Sequence, residues 1–508
     1  MSVLYEELRS VATASLLKVA IVDGDDRPWT YGDLFLNITN AASQLHHWEE
    51  LYKFRRVGIL LQDSFQSIGL VFAIAKLNLS AVTLNTSLRG NQIEEILAKS
   101  GTNWLISDSV EIEDNFIPSG TIGTFYLYRI NQGLHQENVL AKLDSESFLL
   151  TSSSGSTGDP KPIVFSQKLK IMRAAQSREL YGVQKEDVIL NASSFSHSLG
   201  QRLTFLPLLS GATVILLPKF SVNGWIKKVQ DYQVTFTICV SSHLHGLTQF
   251  LLSGDTDLTS IRCLVSSSAA LNAKVKSDLF LSKNFEFHEQ YGASEVATVT
   301  NCSRKEFQLS SDTVGIPGRD IGIEIRMPNG TVCAPGIQGE IFVKSPLICE
   351  GYVHTGKIVP ATDNSGWFGT SDLGTIDEHG RLFFLGRTKD VISVGGQNLF
   401  PLDVERVILG CDGITECCVV EKKDEYFGEI PIAFLVSQSR SLELLSKVRE
   451  LVGEKLATYQ QPFHYVWIDE LPKLQSGKLD KNSLRLEASK IARNDGRRLI
   501  NQMSKTNE

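Results

Sequence analysis

Leu150-Thr151-Ser152-Ser153-Ser154-Gly155-Ser156-Thr157-Gly158-Asp159-Pro160-Lys161 is the stretch on which the reading of this chain turns. It crowds hydroxyls and two glycines into a short run and ends in one lysine. Such a run has little to give a hydrophobic core. It offers hydroxyl and backbone N–H donors, a backbone that a ligand can approach closely, and a cation, which is what a polyphosphate requires. The spacing is not that of a P-loop, G-x-x-x-x-G-K-[ST]. Gly155 and Gly158 are three apart, and Pro160 precedes Lys161. The flanks differ as well. Residues 148–151 read as a strand, and the β-branched and aromatic run 162–165 reads as a second strand rather than a helix. Taken alone, the run is either a phosphate-holding turn between two strands or a Ser/Gly surface linker.

The 508 residues call for more than one domain, since domains run to roughly 100–200 residues each. Lys and Arg total 50 against 57 Asp and Glu, a mild acidity that argues against a broad nucleic-acid surface. The eight cysteines stand apart except for the adjacent Cys417 and Cys418. Without a C-x-x-C pair they suggest neither zinc nor a redox dithiol, and they suit a reducing cytoplasm. The start, Met1 to Glu7, lacks the basic and apolar segments of a signal peptide. The apolar run 68–75 is ended by Lys76 and Asn78, far short of the ~20 residues of a membrane span. A buried helix is expected there.

Strands are expected at 57–62, 81–84, 103–107, 187–191, 213–217, 235–240 and 262–266. Helices are expected at 66–77, 91–100, 167–181, 222–231 and 272–281. This alternation predicts an α/β fold with parallel sheets covered on both faces. From about 313 the texture changes to short strands with Gly and Pro turns, at 323–325, 339–343 and 382–385, which predicts a small β-rich module. After Lys389 a further α/β block is expected, with helices at 402–409 and 441–456 and strands at 415–421 and 464–468. The tail from about 488, with Lys490, Arg493, Arg497 and Arg498, reads as a solvated helix end or a basic docking patch.

If the opening run holds a nucleotide, other residues must serve its base, sugar and metal. Tyr291-Gly292-Ala293-Ser294-Glu295 follows an apparent strand at 284–288. Its ring can face a purine, its hydroxyl can reach a phosphate, and its carboxylate can hold Mg²⁺, a hard cation that prefers oxygen; a plain loop with a buried Tyr is the alternative. Asp372, in Trp367-Phe368-Gly369-Thr370-Ser371-Asp372, can accept both hydroxyls of a ribose or simply cap a turn. Arg387, in Gly386-Arg387-Thr388-Lys389-Asp390, can donate to a ribose or phosphate or sit on an exposed charged turn. Lys478, in Leu471-Pro472-Lys473-Leu474-Gln475-Ser476-Gly477-Lys478-Leu479, is displayed on a Ser-Gly turn after a proline. It is placed to enter a site from outside or to be solvated.

In order and spacing these stations resemble the adenylate-forming superfamily of acyl-CoA synthetases, aryl-CoA ligases, acyl-AMP ligases, peptide-synthetase adenylation domains and beetle luciferases. The resemblance runs from Trp29-Thr30-Tyr31-Gly32-Asp33-Leu34 to Gly477-Lys478. It implies a large N-terminal ATP- and acyl-binding domain over 1–388, built of stacked α/β sheets plus the β-rich module. A small mobile α+β C-terminal domain over 389–508 would carry the catalytic lysine. It implies two half-reactions. A carboxylate attacks the α-phosphate of ATP to give acyl-AMP, and a thiol of CoA or of a carrier protein's phosphopantetheine then takes the acyl group. Ser153, Ser154, Gly155, Ser156, Thr157, Gly158 and Lys161 would clamp the β- and γ-phosphates. Tyr291 would stack on adenine with Ser268 and Gly292 beside it, Ser294 would touch phosphate, and Glu295 would ligate Mg²⁺. Asp372 and Arg387 would hold the ribose. Lys478, His197 and Thr157 would act at the reacting groups, with the Lys478 ammonium offsetting charge that grows at phosphorus. Lys389 would be the hinge, and Gly395 and Gly396 would line the thiol channel.

The acyl pocket is expected around His197, Gly200, Ser266 and Ser267, because Ser194-Phe195-Ser196-His197-Ser198-Leu199-Gly200 resembles the F-H-x-x-G run of acyl- and aryl-CoA ligases. Positions 191–200 contain no acid to pair an α-ammonium, so a fatty or aryl acid without an α-amino group is expected. Arg202 or His243 could meet a polar tail, although His243 and His245 read first as loop histidines. Pro162, Ser371 and the stretch Ser266-Ser267-Ser268-Ala269 depart from the family's usual glycines. The leading expectation is an ATP-dependent ligase using CoA. The alternatives are a stand-alone acyl-AMP ligase loading an acyl carrier protein and a non-catalytic ligand-binding member, and luciferase-type oxidation has no signature of its own.

Overall fold

The computed structural model describes residues 2–48, 55–110, 112, 115–130, 147–152, 161–354, 357–474 and 478–491. The opening run lies partly beyond these: Ser153, Ser154, Gly155, Ser156, Thr157 and Gly158 are outside the described residues. Its flanks are the expected antiparallel pair, Ser147–Ser152 against Pro162–Ser166, with Ser152 opposite Pro162. Pro162 opens its strand, a position where a missing N–H costs no interior ladder bond.

Two nine-stranded sheets form the bulk of the molecule. One carries a parallel interior of Glu286–Ala293, Cys263–Ser267, Phe236–Val240, Val188–Asn191, Thr213–Leu216 and Val19–Val22. The other has Ser147–Ser152, Ser80–Thr83, Arg56–Leu60 and Trp104–Ser107 in parallel. Most of the parallel strands are buried along their length because helices cover both faces. The run 68–75 is the expected buried helix, Phe65–Lys76, within the largest core cluster. Both sheets depart from the all-parallel expectation at their edges. Ala297–Cys302 and Ile316–Pro317 close one antiparallel edge, and the hairpin Phe116–Ile122 with Phe125–Ile130 closes another. That hairpin escapes sequence reading because Pro118, Ser119 and Gly120 interrupt its alternation.

The β-rich module is a four-stranded antiparallel sheet of Gly322–Arg326, Gly339–Lys344, Phe368–Ile376 and Leu382–Arg387. A last sheet gathers Gln397–Leu399, Ile392–Val394, Gly428–Val436, Glu416–Asp424 and His464–Trp467 around its own apolar cluster. The Trp29–Leu34 motif proves to be structural. Thr30 and Asp33 form a reciprocal capping box at the start of Tyr31–His46, and Trp29 stacks on Phe65 at 4.3 Å between centroids. His243 and His245 are not on a loop: they lie in helix Ser241–Ser253, whose buried stripe is Leu244, Leu247 and Leu251. That i, i+3, i+7 spacing was the signal, and the Ser, His and Gly residues between its members masked it.

Two serines at positions where the family pattern has glycine explain that pattern. Ser268 and Ser371 have φ of 80° and 58°, in the left-handed region where a Cβ costs about 1 kcal/mol or more. Ser371→Gly is therefore expected to raise the urea midpoint, with a gain of up to about 1 kcal/mol after the unfolded-state entropy of glycine is subtracted. Ser371→Val should lower it, because β-branched residues fit this region worst.

Candidate active site

The residues that follow the parallel strands of both large sheets meet at one cleft of 1280 Å³. Leu61 to Asp63, Asn85 and Thr86, Thr151 and Ser152, Ala192 to Ser194, Pro218 to Phe220, Val240, Ser267 and Ser268 all line it from strand C-terminal ends. That is where open α/β sheets place their ligands. The four-stranded module contributes Phe368 to Asp372 and Arg387, and the C-terminal part contributes Lys473, Leu474 and Lys478.

Most of the expected site residues come together here. His197, Ser267, Ser268, Gly292, Ser294, Glu295, Asp372, Arg387, Lys389 and Lys478 line the cleft. Asp372 and Arg387 are direct cross-strand partners, with Arg387 Nε 3.5 Å from Asp372 Oδ1. Burial raises the Asp372 carboxyl above its ordinary pKa, and Arg387 opposes the shift. The Lys478 ammonium is lowered by burial and by Arg387, while Glu295 and Asp372 hold it up. Burial, assisted by Lys478, pushes the His197 pKa down to about 4. The imidazole is therefore neutral near pH 7. Its Nε2 lies 3.2 Å from Asn85 Nδ2, so with the amide donating, Nε2 is the acceptor and Nδ1 carries the proton.

Other expected residues stand elsewhere. Tyr291 is 9% exposed, packs its ring against Phe384 at 5.7 Å, and does not line the cleft. Its hydroxyl instead donates to Asp372 Oδ2 at 2.8 Å and fixes that carboxylate. Gly200 is buried in helix Ser198–Ser210, where a Cβ would stand 2.1 Å from the Ser194 carbonyl oxygen. It is a close-packing glycine and not a pocket wall. Ser266 is fully buried inside its strand, so the lining falls to Ser267 and Ser268. Gly395 and Gly396 form an exposed turn with φ of 57° and 84°, away from the cleft. Lys161 is exposed and also outside the lining.

Several groups that shape the site are not legible as motifs. Arg173, buried in helix Gln167–Tyr181, donates to the carbonyls of Ser294, Glu295 and Leu347 at 2.8, 2.7 and 2.7 Å. It clamps the backbone that carries Glu295. Tyr352 donates its hydroxyl to Glu295 Oε1 at 3.1 Å. Asp63 accepts the Phe195 N–H through both oxygens, at 3.1 and 2.9 Å, and so braces the loop that presents His197. Burial raises the Asp63 carboxyl to about 7. The segment 191–200 thus has an acid beside it, supplied from position 63. The one signal for Arg173 was a polar stripe, Lys170, Arg173 and Ser177, on the buried face of its helix.

Glu295 makes no salt bridge among the described residues, and with one oxygen on Tyr352 it keeps lone pairs for a hard cation. Cations and the carboxylates Glu295 and Asp372 gathered around one cleft suit an ATP-dependent enzyme of the adenylate-forming class. The comparisons agree. The AMP-binding enzyme family matches residues 8–353, and the AMP-binding enzyme C-terminal domain matches residues 403–478. A 2-succinylbenzoate–CoA ligase of Bacillus velezensis is 30% identical over 468 residues, covering 91% of this chain and 93% of that one. One from Bacillus pumilus is 29% identical over 471 residues, covering 91% and 93%. The Bacillus subtilis o-succinylbenzoate CoA synthetase in complex with its acyl-adenylate intermediate superimposes with a TM-score of 0.77 at 26% identity, over 96% of this chain and 98% of that one. This chain belongs to the AMP-binding enzyme family. The activity that goes with it is ATP-dependent activation of a carboxylic acid as acyl-AMP, followed by transfer to a thiol.

Proposed function

We propose that this chain is an AMP-forming acid–CoA ligase acting on an aryl or related carboxylic acid without an α-amino group. The observation that carries this reading is the convergence of Lys478, His197, Glu295, Asp372 and Arg387 on one cleft at the strand ends. In the first half-reaction a carboxylate oxygen bonds to the α-phosphorus and pyrophosphate leaves. Lys478 offsets the charge that develops there, a preorganised electrostatic role. Neutral His197 flanks the carboxylate without adding a second cation. Asp372, held by Tyr291 and Arg387, accepts the ribose hydroxyls. Glu295, positioned by Arg173 and Tyr352, would hold Mg²⁺, which supplies Lewis-acid stabilisation of the phosphates. In the second half-reaction the sulfur of CoA bonds to the acyl carbon and AMP leaves.

CoA is the proposed acceptor because the relatives are CoA ligases; nothing favours the carrier-protein alternative. The acid beside segment 191–200 is Asp63, and burial raises its carboxyl to about 7, so it offers an α-ammonium less than a full counter-charge. The domain boundary is proposed at 388/389. Arg387 ends the four-stranded sheet, Lys389 is exposed, and Asp390 is anchored to Lys481 and Arg485 at 3.0 and 2.9 Å. All eight cysteines are free, in keeping with a reducing cytoplasm. Among the described residues no helix is long and apolar enough to cross a membrane. The test is a pyrophosphate-release screen over fatty, aryl and amino acids, with and without CoA. Release led by aryl or fatty acids, with thioester formed only with CoA, is expected. A profile led by amino acids would overturn the substrate class.

A further inference from the structure

Three side chains of ligand type meet where two neighbouring strands begin, away from the cleft. Cys263 and Glu286 open the parallel strands Cys263–Ser267 and Glu286–Ala293 and stand opposite each other in register. His288 follows Glu286 by two residues and so shares its face. One ligand atom from each of Cys263, Glu286 and His288 lies within 4.8 Å of the other two. Around a tetrahedral ion with bonds of about 2.0–2.3 Å such atoms stand roughly 3.3–3.6 Å apart, so a closure of about 1 Å completes the set. The Glu286 side chain is 62% exposed. It can supply that movement and gives an ion a path from solvent.

His288 is buried, at 4% exposure. Its Nε2 lies 3.0 Å from Glu286 Oε1, out of hydrogen-bond alignment, and has no hydrogen-bond partner among the described residues. Its Nδ1 lies 3.0 Å from Asn301 Nδ2, while Asn301 Oδ1 is buried without a hydrogen bond. A half-turn of the amide exchanges its oxygen and nitrogen. Oδ1 then accepts the Nδ1–H, and Nε2 keeps its lone pair for an ion. That is the outer partner by which proteins orient a metal-binding histidine. The charges acting on the group are mostly acidic. Glu286 and Glu306 act on His288, and Glu286, Arg262 and Asp187 act on Cys263. Arg262 is matched by Asp187 through bonds of 2.7 and 2.6 Å.

We propose that Cys263, Glu286 and His288 bind one borderline-soft divalent ion of the Zn²⁺ type, with solvent in the fourth position, clipping the two strands together. A thiolate and an imidazole do not suit Mg²⁺ or Ca²⁺. Binding sends the thiol proton to solvent. Cys263 and Glu286 each stand four residues before a residue that lines the cleft, Ser267 and Gln290, about 13 Å along the strands. The site is thus separate from Glu295. Its ligands come from two strands and not from one loop, so no C-x-x-C spacing announces them.

The probe is Co²⁺, which takes the same donors and reports a thiolate ligand by charge-transfer absorption. It is titrated into the full chain in excess Mg²⁺ and then displaced by Zn²⁺, which binds such sites more tightly. One Co²⁺ per chain is expected at saturation of that band, and Cys263→Ser should abolish it. Asn301→Ala should weaken binding by roughly 10- to 100-fold, the usual effect of losing an outer partner, and Glu286→Gln by at least as much. Glu286 is exposed and does not line the cleft, so Glu286→Gln should release pyrophosphate at the wild-type rate, which shows that it folds. Absence of the band in the wild type, an undiminished band in Cys263→Ser, or unchanged affinity in Glu286→Gln would overturn the proposal.

Discussion

Lys478→Ala is expected to lower carboxylate-dependent ATP–pyrophosphate exchange by roughly 10²- to 10³-fold or more, the loss that follows removal of a preorganised transition-state donor, while ATP binding survives. The asymmetry follows from where the lysine sits. Asp372 and Arg387, the proposed ribose contacts, belong to the four-stranded module, and Glu295 lies in the turn between Glu286–Ala293 and Ala297–Cys302. Lys478 arrives from a different part of the chain, on a loop closed by the Leu474 N–H to Lys478 carbonyl bond at 2.8 Å and the Asp480 N–H to Pro472 carbonyl bond at 2.8 Å. Removing its side chain leaves the nucleotide contacts in place. Burial and Arg387 also depress the ammonium, so the wild-type rate should fall on the alkaline side at a pH below the ordinary lysine value of 10.5. Lys478→Arg should move that limb upward, since arginine keeps its charge. Normal exchange in Lys478→Ala would remove the lysine from the first half-reaction, and a matching loss of ATP affinity would make its role one of binding.

What the sequence could announce was the chemistry of single residues on turns. Glu295, Arg387 and Lys478 sit in turns, loops or at a strand end, and Asp372, in the middle of its strand, follows the left-handed Ser371, so their types and order with small or turn-forming neighbours carry the message without three-dimensional help. The supports are different. Arg173 acts on carbonyls more than 120 positions away, and Asp63 acts on an N–H 132 positions away. Neither contact leaves a spacing to read. Tyr291 differs again: its place in the motif was clear, while its ring sits at a strand position against Phe384. Gly200 and Ser266 were assigned to the pocket through neighbours that do line it. Their own environment is backbone packing in one case and a strand interior in the other, which only register and helix phase decide.

Lys389→Pro is expected to leave adenylate formation nearly intact and to slow thioester formation by about tenfold or more, since proline fixes φ near −65° and a hinge must change it. In this structure Lys389 is the middle residue of the 3₁₀ turn Thr388–Asp390, whose φ is close to the value proline imposes. The substitution therefore preserves the present arrangement, in which Lys478 faces Glu295 and Asp372 and the Gly395–Gly396 turn lies away from the cleft. Bringing that turn to the cleft requires the C-terminal part to rotate as a unit. Asp390 is already tied to that unit by Lys481 and Arg485, and Arg485 is tied on to Glu421 at 2.7 Å. A rotation at the proposed hinge would thus be confined to the residues just before Asp390, where Lys389 can turn without breaking a buried pair. Exchange of labelled pyrophosphate measures the first half-reaction, and CoA-dependent thioester release from preformed acyl-AMP measures the second. Lys389→Ala, which removes the side chain but frees the backbone, should leave both rates near wild type. An equal loss of the two rates in Lys389→Pro would place the hinge elsewhere, and loss of the first rate alone would mean that the arrangement seen here is the one that accepts the thiol.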